Sequence, residues 1–291
     1  MYLKAKTMHL PAIVSLLQEN SLPIEDISLE KQELWIQQEE QEIPAVCGIE
    51  QYGAYGLLRS FAVQKELQNK GLGTHMYEHV IKTCQDKGIA CLFLLTTTAV
   101  NYFKSAGWHV ISRVAVPAGV KQSEEFKSIC PESATCMMLV LDDSFAKSAM
   151  ETFNTGFNCA QSVLTAFTDK FGMDNKQALK LATGFGAGIG FKGQTCGAVT
   201  GAYMAIGLNN GRSEVEDDMS RELTFMRMKK FDEAFIKQHG GLNCSELLNG
   251  NVAKQEELDK IMENELFTKA CPVYVYSAAK ILEKVLQKDL N

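Results

Sequence analysis

Two groups of residues in this 291-residue chain have the types and spacing to do chemistry. The first is Gln68-Asn69-Lys70-Gly71-Leu72-Gly73-Thr74, which follows the apolar run Leu57–Val63 and opens an amphipathic stretch. A strand feeding a glycine-bearing loop into a helix start presents free backbone N–H groups and the positive end of the helix dipole. Those are the elements that hold a pyrophosphate. Gly71 and Gly73 let the backbone approach phosphates without an intervening Cβ, and Lys70 adds a mobile positive charge. The segment has neither the spread Gly-x-Gly-x-x-Gly of a dinucleotide loop nor the Gly-Lys-Ser/Thr of a triphosphate loop. The second group is Cys159, Cys196, Cys244 and Cys271, each at or near the start of an expected helix. There the dipole favours the thiolate, the form that exchanges with oxidants or binds soft metals and metalloids. They lie too far apart for a zinc-finger pair, so the fold must assemble any joint site. Packing as small buried residues is the competing reading.

These groups sit on elements of two textures. From residue 1 to 141 strands alternate with helices: strands at Leu3–Lys6, Glu33–Gln38, Ala45–Gln51, Tyr55–Val63, Cys91–Thr96, Val110–Val114 and Thr135–Leu141, helices at His9–Glu19, Gly71–Asp86 and Ala99–Ala106. The turn Gln51–Ala54 joins two of the strands as a hairpin. After the polar joint Asp142-Asp143-Ser144, residues 148–291 read as helices broken by glycines. They are Cys159–Phe171, Lys176–Thr183, Gln194–Leu208, Glu214–Gln238, Ser245–Leu248, Gln255–Leu266 and Val273–Lys288. Gly197, Gly201 and Ala205 at four-residue spacing suit a close helix crossing. The glycine-rich run Gly184–Gly193 could mimic an anion loop but lacks a basic partner at fixed spacing.

Gln68-x-x-Gly71-x-Gly73 after an apolar strand resembles the acetyl-CoA loop of the GNAT superfamily of N-acetyltransferases. Cys91–Thr96 is similar to that family's second cofactor-flanking strand, and Ala99–Trp108 to the helix that follows. More narrowly, LLTTTAVNYFKSAGWHVISRVAVP and SICPESATCMMLVL are similar to N-acetyltransferases found with arsenic-resistance genes, and more loosely to glutamate N-acetyltransferase domains. The second half, with GFGAGIGFKGQTCGAVTGAYMAIG, resembles the proteins named for a Cys…Cys-Gly-Ala-x-x-Gly…Cys…Cys layout and described as redox-active. The resemblance implies an α+β chain: a mixed, mostly antiparallel GNAT-like sheet flanked by helices over residues 1–141, then an all-α four-cysteine domain over residues 148–291.

The GNAT resemblance also implies roles. Amides of Lys70, Gly71, Leu72, Gly73 and Thr74 would hold the pyrophosphate of acetyl-CoA, with Gln68 shaping the loop. The backbone of Phe61, Ala62 and Val63 would pair with the pantetheine amides and offer an N–H to the thioester oxygen. The family's proton donor to the leaving thiolate is a tyrosine at the position of Phe103 here, so the neighbouring Tyr102 is the candidate. Tyr102 as a packing aromatic is the alternative. Arg59 is a candidate partner for a substrate carboxylate and Glu50 a candidate base, against the reading of both as solvated strand residues. His75 and His79, four residues apart, have no third metal ligand in view. The four cysteines are candidate redox thiols or ligands of a soft metal or metalloid ion.

The expected activity is acetyl transfer to the amine of a small, amino-acid-like substrate, with an attached thiol module. The alternative is a thiol-based redox or metal(loid)-binding protein whose first domain is a non-catalytic acyl-CoA scaffold. A net charge of −6 and a pI near 5.5 argue against nucleic acid or an anionic membrane as partner. The longest apolar runs, Ala90–Leu95 and Met137–Leu141, are strand-sized, and the first residues lack a secretion-signal core, so a cytoplasmic location is expected. Nine cysteines, an odd number, do not suggest a disulfide framework. Apolar helix faces in the second half leave a homo-oligomer open.

Overall fold

Among the described residues, seven strands form one sheet: β1 (Tyr2–Lys4), β2 (Glu33–Glu39), β3 (Glu42–Tyr52), β4 (Tyr55–Val63), β5 (Cys91–Thr96), β6 (His109–Ile111) and β7 (Thr135–Val140). Their order is β1-β2-β3-β4-β5-β7-β6. β1–β2, β2–β3, β3–β4 and β5–β7 pair antiparallel, while β4 and β5 are parallel. The computed structural model describes residues 1–39 and 42–290; Asn291, the end of the expected helical segment, lies outside them.

Period-two alternation gives each strand two faces, and helices cover both. Leu34, Ile36, Ile43 and Val46 bury against Ile13, Leu16 and Leu17 of α1 (Leu10–Glu19). Ala45, Cys47, Ile49, Leu92 and Leu94 bury against Met76, Val80 and Cys84 of α2 (Leu72–Asp86) and Phe103 of α3 (Val100–Ser105). Cover on both faces is why β3 is buried almost without interruption and does not alternate with solvent.

Two departures from regular pairing shape the middle of the sheet. Val46 faces Ala62 and Gly48 faces Arg59, so Ser60 and Phe61 of β4 oppose the single residue Cys47, with Ser60 at φ 51°. This is a bulge, which bends and twists its strand. The parallel ladder between β4 and β5 then covers only Tyr55↔Cys91, Gly56↔Leu92 and Leu57↔Phe93. Beyond Leu57 the two strands diverge and leave a wedge.

The chain divides into two units, Met1–Val110 with Gly119–Asp142, and Ile111–Ala118 with the chain from Asp143 onward. Residues 111–118, expected in the first domain, thus cluster with the helices. The strand expected over Val110–Val114 stops at Ile111 because the Ser112 hydroxyl accepts from the Val114 N–H and starts a 3-10 turn, Arg113–Ala115. In the helical unit run α4 (Phe145–Asn154), α5 (Cys159–Thr165), α6 (Asn175–Ala182), α7 (Gly197–Asn210), α8 (Asp218–His239), α9 (Gln255–Glu263) and α10 (Cys271–Val285). α4 is an addition to the helices expected from the sequence: Ser144, within the expected joint, is its N-cap and accepts from the Lys147 N–H. The spacing Gly197, Gly201, Ala205 does mark a close crossing. A Cβ at Gly201 would lie 2.7 Å from the Ala160 carbonyl oxygen of α5. α10 is buried from Cys271 through Ala279 and packs against α4, α5, α7 and α8. No helix among the described residues is long and apolar enough to cross a membrane.

Candidate functional site

The wedge between β4 and β5 opens into a cavity of about 650 Å³ within the sheet unit. Phe61, Ala62 and Val63 line it, together with Gln68, Asn69, Gly73, Thr96–Ala99 and Tyr102. Gly71, at φ 87°, is the N-cap of α2, a conformation that costs glycine nothing, and no side chain caps the first turn. The N–H groups of that turn therefore face outward as unpaired donors, the arrangement that suits a phosphate. Gln68 fixes the loop: its amide donates to the Asn20 Oδ1 at 3.0 Å and to the Val63 carbonyl at 3.1 Å. Lys70, Gly71 and Thr74 are exposed beside it, and Leu72 is half-buried. Of the residues expected to hold an acyl-CoA, Phe61, Ala62, Val63, Gln68 and Gly73 line the cleft, with Lys70, Gly71, Leu72 and Thr74 on the same loop and first turn. The uncapped turn and the stretch of β4 left unpaired on its β5 side fit such a ligand.

Tyr102 and Phe103 both line the cleft, and Phe103, at the position where the GNAT resemblance expects tyrosine, also packs into the core and has no hydroxyl to give a proton. The Tyr102 phenol is hydrogen-bonded with the Thr74 side chain, and burial raises its pKa, so it keeps its proton in neutral solution.

Arg59 and Glu50 depart from expectation. The Arg59 side chain is fully buried, with both terminal nitrogens donating to the Asp26 carboxylate at 2.5 Å and Nη1 also donating to Glu50 at 2.5 Å. Its Nε lies 3.3 Å from Glu125. Arg59 lines the cleft, but its guanidinium is already paired with three internal carboxylates. Glu50 also accepts from the Tyr52 phenol at 2.5 Å and does not line the cleft. Glu125 does line it. This residue, on a π-helical turn (Glu125–Ile129), stands outside every motif and periodic stretch of the sequence. Burial, then the nearby Asp26 and Glu50 charges, raise its pKa to about 7, against the opposing pull of Arg59. His75 is exposed, while His79 stacks on Tyr2 at 4.6 Å and meets Trp35 edge-on, so the two do not form a chelating pair.

In the helical unit all four cysteines line a second cavity, of about 390 Å³. Cys159, Cys244 and Cys271 open their helices and Cys196 is the N-cap of α7. The expected thiolate bias holds for Cys159, whose pKa falls to about 7. The causes, largest first, are a hydrogen bond from the Cys196 thiol and, against opposing burial, the backbone N–H groups of Ala187, Cys159 and Ala160. For the other three, proximity to Cys159 and burial outweigh the dipole: Cys196 rises chiefly through its bond to Cys159, Cys244 to about 12 and Cys271 through burial. The Ala187 N–H is aimed by a left-handed turn, with Ala187, Gly188, Ile189 and Gly190 all at φ between 51° and 67°. One N–H of the glycine-rich run, that of Ala187, thus faces the sulfur of Cys159 and favours its thiolate form. Among the described residues, no group of three or more His, Cys, Asp or Glu side chains is arranged to hold a metal ion.

Residues 11–108 match the model of the Acetyltransferase (GNAT) family, and residues 157–285 match that of the "Putative redox-active protein (C_GCAxxG_C_C)" family. An uncharacterized protein of Archaeoglobus fulgidus is 26% identical over 125 residues, covering 40% of this chain and 83% of that one. Among solved structures, N-acetylglutamate synthase from Neisseria gonorrhoeae, complexed with coenzyme A and L-arginine, is 17% identical with a TM-score of 0.42. The match covers 49% of this chain and 33% of the synthase, so the chain spans a third of that protein's length. A GNAT-family acetyltransferase from Staphylococcus aureus is 18% identical with a TM-score of 0.39, covering 49% of this chain and 99% of its own. The chain joins a GNAT-family domain at residues 11–108 to a C_GCAxxG_C_C-family domain at residues 157–285.

Proposed function

We propose that the sheet unit binds acetyl-CoA and transfers its acetyl group to the amine of a small molecule. The observation that carries this is the unpaired stretch of β4: its ladder with β5 ends at Leu57, and Phe61–Val63 line the resulting cleft with the uncapped α2 start beside them. Acetyl-CoA supplies an activated acyl thioester. The amides from Lys70 to Thr74 hold its pyrophosphate, and Phe61, Ala62 and Val63 continue the ladder with its pantetheine. The same β4 edge donates an N–H where negative charge develops on the carbonyl oxygen.

An attacking amine must be neutral, so its proton has to leave. Glu125, at the cleft wall with a pKa near neutrality, takes the role of base that Glu50 cannot reach. Tyr102, protonated at neutral pH and facing the cleft, gives a proton to the departing sulfur. The occupied state of Arg59 argues for an acceptor without a carboxylate anchored at that residue.

Calorimetric titration with acetyl-CoA tests the binding step: micromolar affinity is expected, and its loss in a Gly71→Glu/Gly73→Glu variant. Binding equally tight in the variant would refute the loop assignment. With an amine acceptor found by screening, Tyr102→Phe is expected to lower kcat about 100-fold at unchanged acetyl-CoA affinity. An unchanged kcat would leave Tyr102 a packing aromatic.

A further inference from the structure

The four-cysteine cavity has a chemical character that the thiols alone do not specify. Phe153, Phe157, Phe191, Met262 and Phe267 form much of its wall, and no Asp, Glu, Lys, Arg or His lines it among the described residues. Phe157, Phe191 and Met262 are 40%, 53% and 59% exposed, so the rim is apolar where it meets water. An apolar concavity with a few convergent polar atoms is the form of a small-molecule site. Asn158, Thr183 and Tyr274 are its polar side chains, and a charged ligand entering it would lose hydration with no side chain of opposite charge to replace it.

Asn158, Thr183 and Tyr274 donate to backbone carbonyls, which leaves the four sulfurs as the reactive atoms of the lining. The Cys196 thiol hydrogen-bonds to the Cys159 sulfur, which the N–H groups of Ala187, Cys159 and Ala160 also face. Backbone geometry is built around this contact. A Cβ on Gly197 would overlap the Cys159 Sγ, so glycine is what admits the sulfur there. One on Gly188, at φ 67°, would lie 2.8 Å from the Cys244 Cβ. Ala187 and Ile189 adopt left-handed conformations unfavourable to residues with a Cβ, and such strain persists where the surroundings hold it in place.

We propose that the helical unit is a dithiol that reduces neutral, apolar organic disulfides bound in this cavity, with Cys159 as the attacking thiol and Cys196 as the resolving one. The proposal rests on the thiol reading of this unit and is independent of acyl transfer. The Cys159 thiolate attacks one sulfur of the substrate disulfide, forming a mixed disulfide and releasing one thiolate. Cys196 then loses its proton to that thiolate, attacks the Cys159 sulfur and displaces the second thiolate. Two electrons pass from the pair to the substrate, which leaves as one thiol and one thiolate, and the pair ends as a Cys159–Cys196 disulfide. The contact with Cys196 and the backbone N–H groups favour the thiolate of Cys159, whereas the Cys159 charge, together with burial, keeps Cys196 protonated before the first step. That order of events follows from their hydrogen bond.

The test uses the reduced, full-length protein without acetyl-CoA, so its failure would leave the acyltransferase reading untouched. 4,4′-Dithiodipyridine serves as the neutral aromatic disulfide and oxidised glutathione as the charged one. Each rate is divided by that of N-acetylcysteine with the same disulfide, which removes intrinsic reactivity. The expected result is a fast phase releasing two thiopyridones per chain and a Cys159–Cys196 cross-link in the peptide map. The normalised preference for the neutral probe is expected to be about tenfold or more. Cys159→Ser should abolish the fast phase, and Cys196→Ser should release one thiopyridone and retain the other on Cys159. A cross-link elsewhere in the wild type, or a fast phase that survives Cys159→Ser, would overturn the pair assignment. Equal normalised rates would overturn the substrate class. The wild-type map stands even where a variant fails to fold.

Discussion

Replacing Glu125 with glutamine tests the buried charge cluster directly, because the amide imitates the protonated acid in size and hydrogen-bonding capacity. Three carboxylates, from Asp26, Glu50 and Glu125, surround one guanidinium, that of Arg59, with Tyr52 bonded to Glu50. Burial and the two neighbouring carboxylates hold the Glu125 pKa near 7, against 4.5 for an unperturbed side chain. Between those values the folded chain carries a proton that the unfolded chain has lost. Stability therefore falls as pH rises through that window. The difference of about 2.5 units corresponds to about 3 kcal/mol by pH 8, of which most accrues above pH 5. The Glu125→Gln variant carries no such penalty, so the wild type should lose about 2–3 kcal/mol relative to it between pH 5 and pH 8. Both tryptophans, Trp35 and Trp108, lie in the sheet unit, so urea unfolding followed by their fluorescence reports that unit alone. Other titrating groups cancel in the comparison of the two proteins. Parallel stability profiles, within about 0.5 kcal/mol across this range, would refute the reasoning: Glu125 would then ionise as in water.

Three further substitutions separate the contributions of fold and site. Arg59→Met leaves two buried carboxylates and the half-buried Asp26 without their cation, and the sheet unit should lose about 3–5 kcal/mol at pH 8, less at pH 5, in the same fluorescence assay; an equal loss at both pH values would mean that packing dominates. Gly73→Ala adds a Cβ that meets Val63 at 3.4 Å and Phe61 at 3.7 Å, ordinary contacts, in the first turn of α2. Stability should hold or rise by about 0.5–1 kcal/mol while acetyl-CoA affinity falls about tenfold, read by calorimetry; unchanged affinity would place the ligand elsewhere. Gly197→Ala pushes a methyl into the Cys159 sulfur, and alkylation of Cys159 by iodoacetamide at pH 7 should slow about tenfold as the thiolate loses its donors.

What is legible in the sequence is what the chain writes locally. Gly71 and Gly73 announce an uncapped helix start after a strand, and the structure has Gly71 at φ 87° as the N-cap of α2. The four cysteines in N-terminal contexts do start helices or cap one, because Asn158 and Asn243 are recognisable caps and Pro272 a recognisable first-turn residue. Partners distant in sequence are not legible. Arg59 reads as a strand cation free to meet a substrate until Asp26, from the loop before β2, and Glu125, from the turn before β7, arrive beside it. Glu125 carries no periodic or motif signal, since the helical turn that holds it contains one buried residue and no amphipathic pattern.

The same limit governs the thiols. A helix start favours the thiolate by a modest amount, whereas full burial disfavours it more strongly, so position on a helix cannot rank four similar cysteines. The ranking is set by which sulfur receives donors, and the donors come from Ala187 in a left-handed turn and from Cys196 on another helix. Gly184–Gly193 contains Lys192 but lacks the basic and hydroxyl partners at fixed spacing that an anion loop has. The group its backbone faces is a side chain of the same unit, the Cys159 sulfur, whose pKa is lowered by N–H groups and one thiol, so no cationic side chain has to supply the bias toward thiolate.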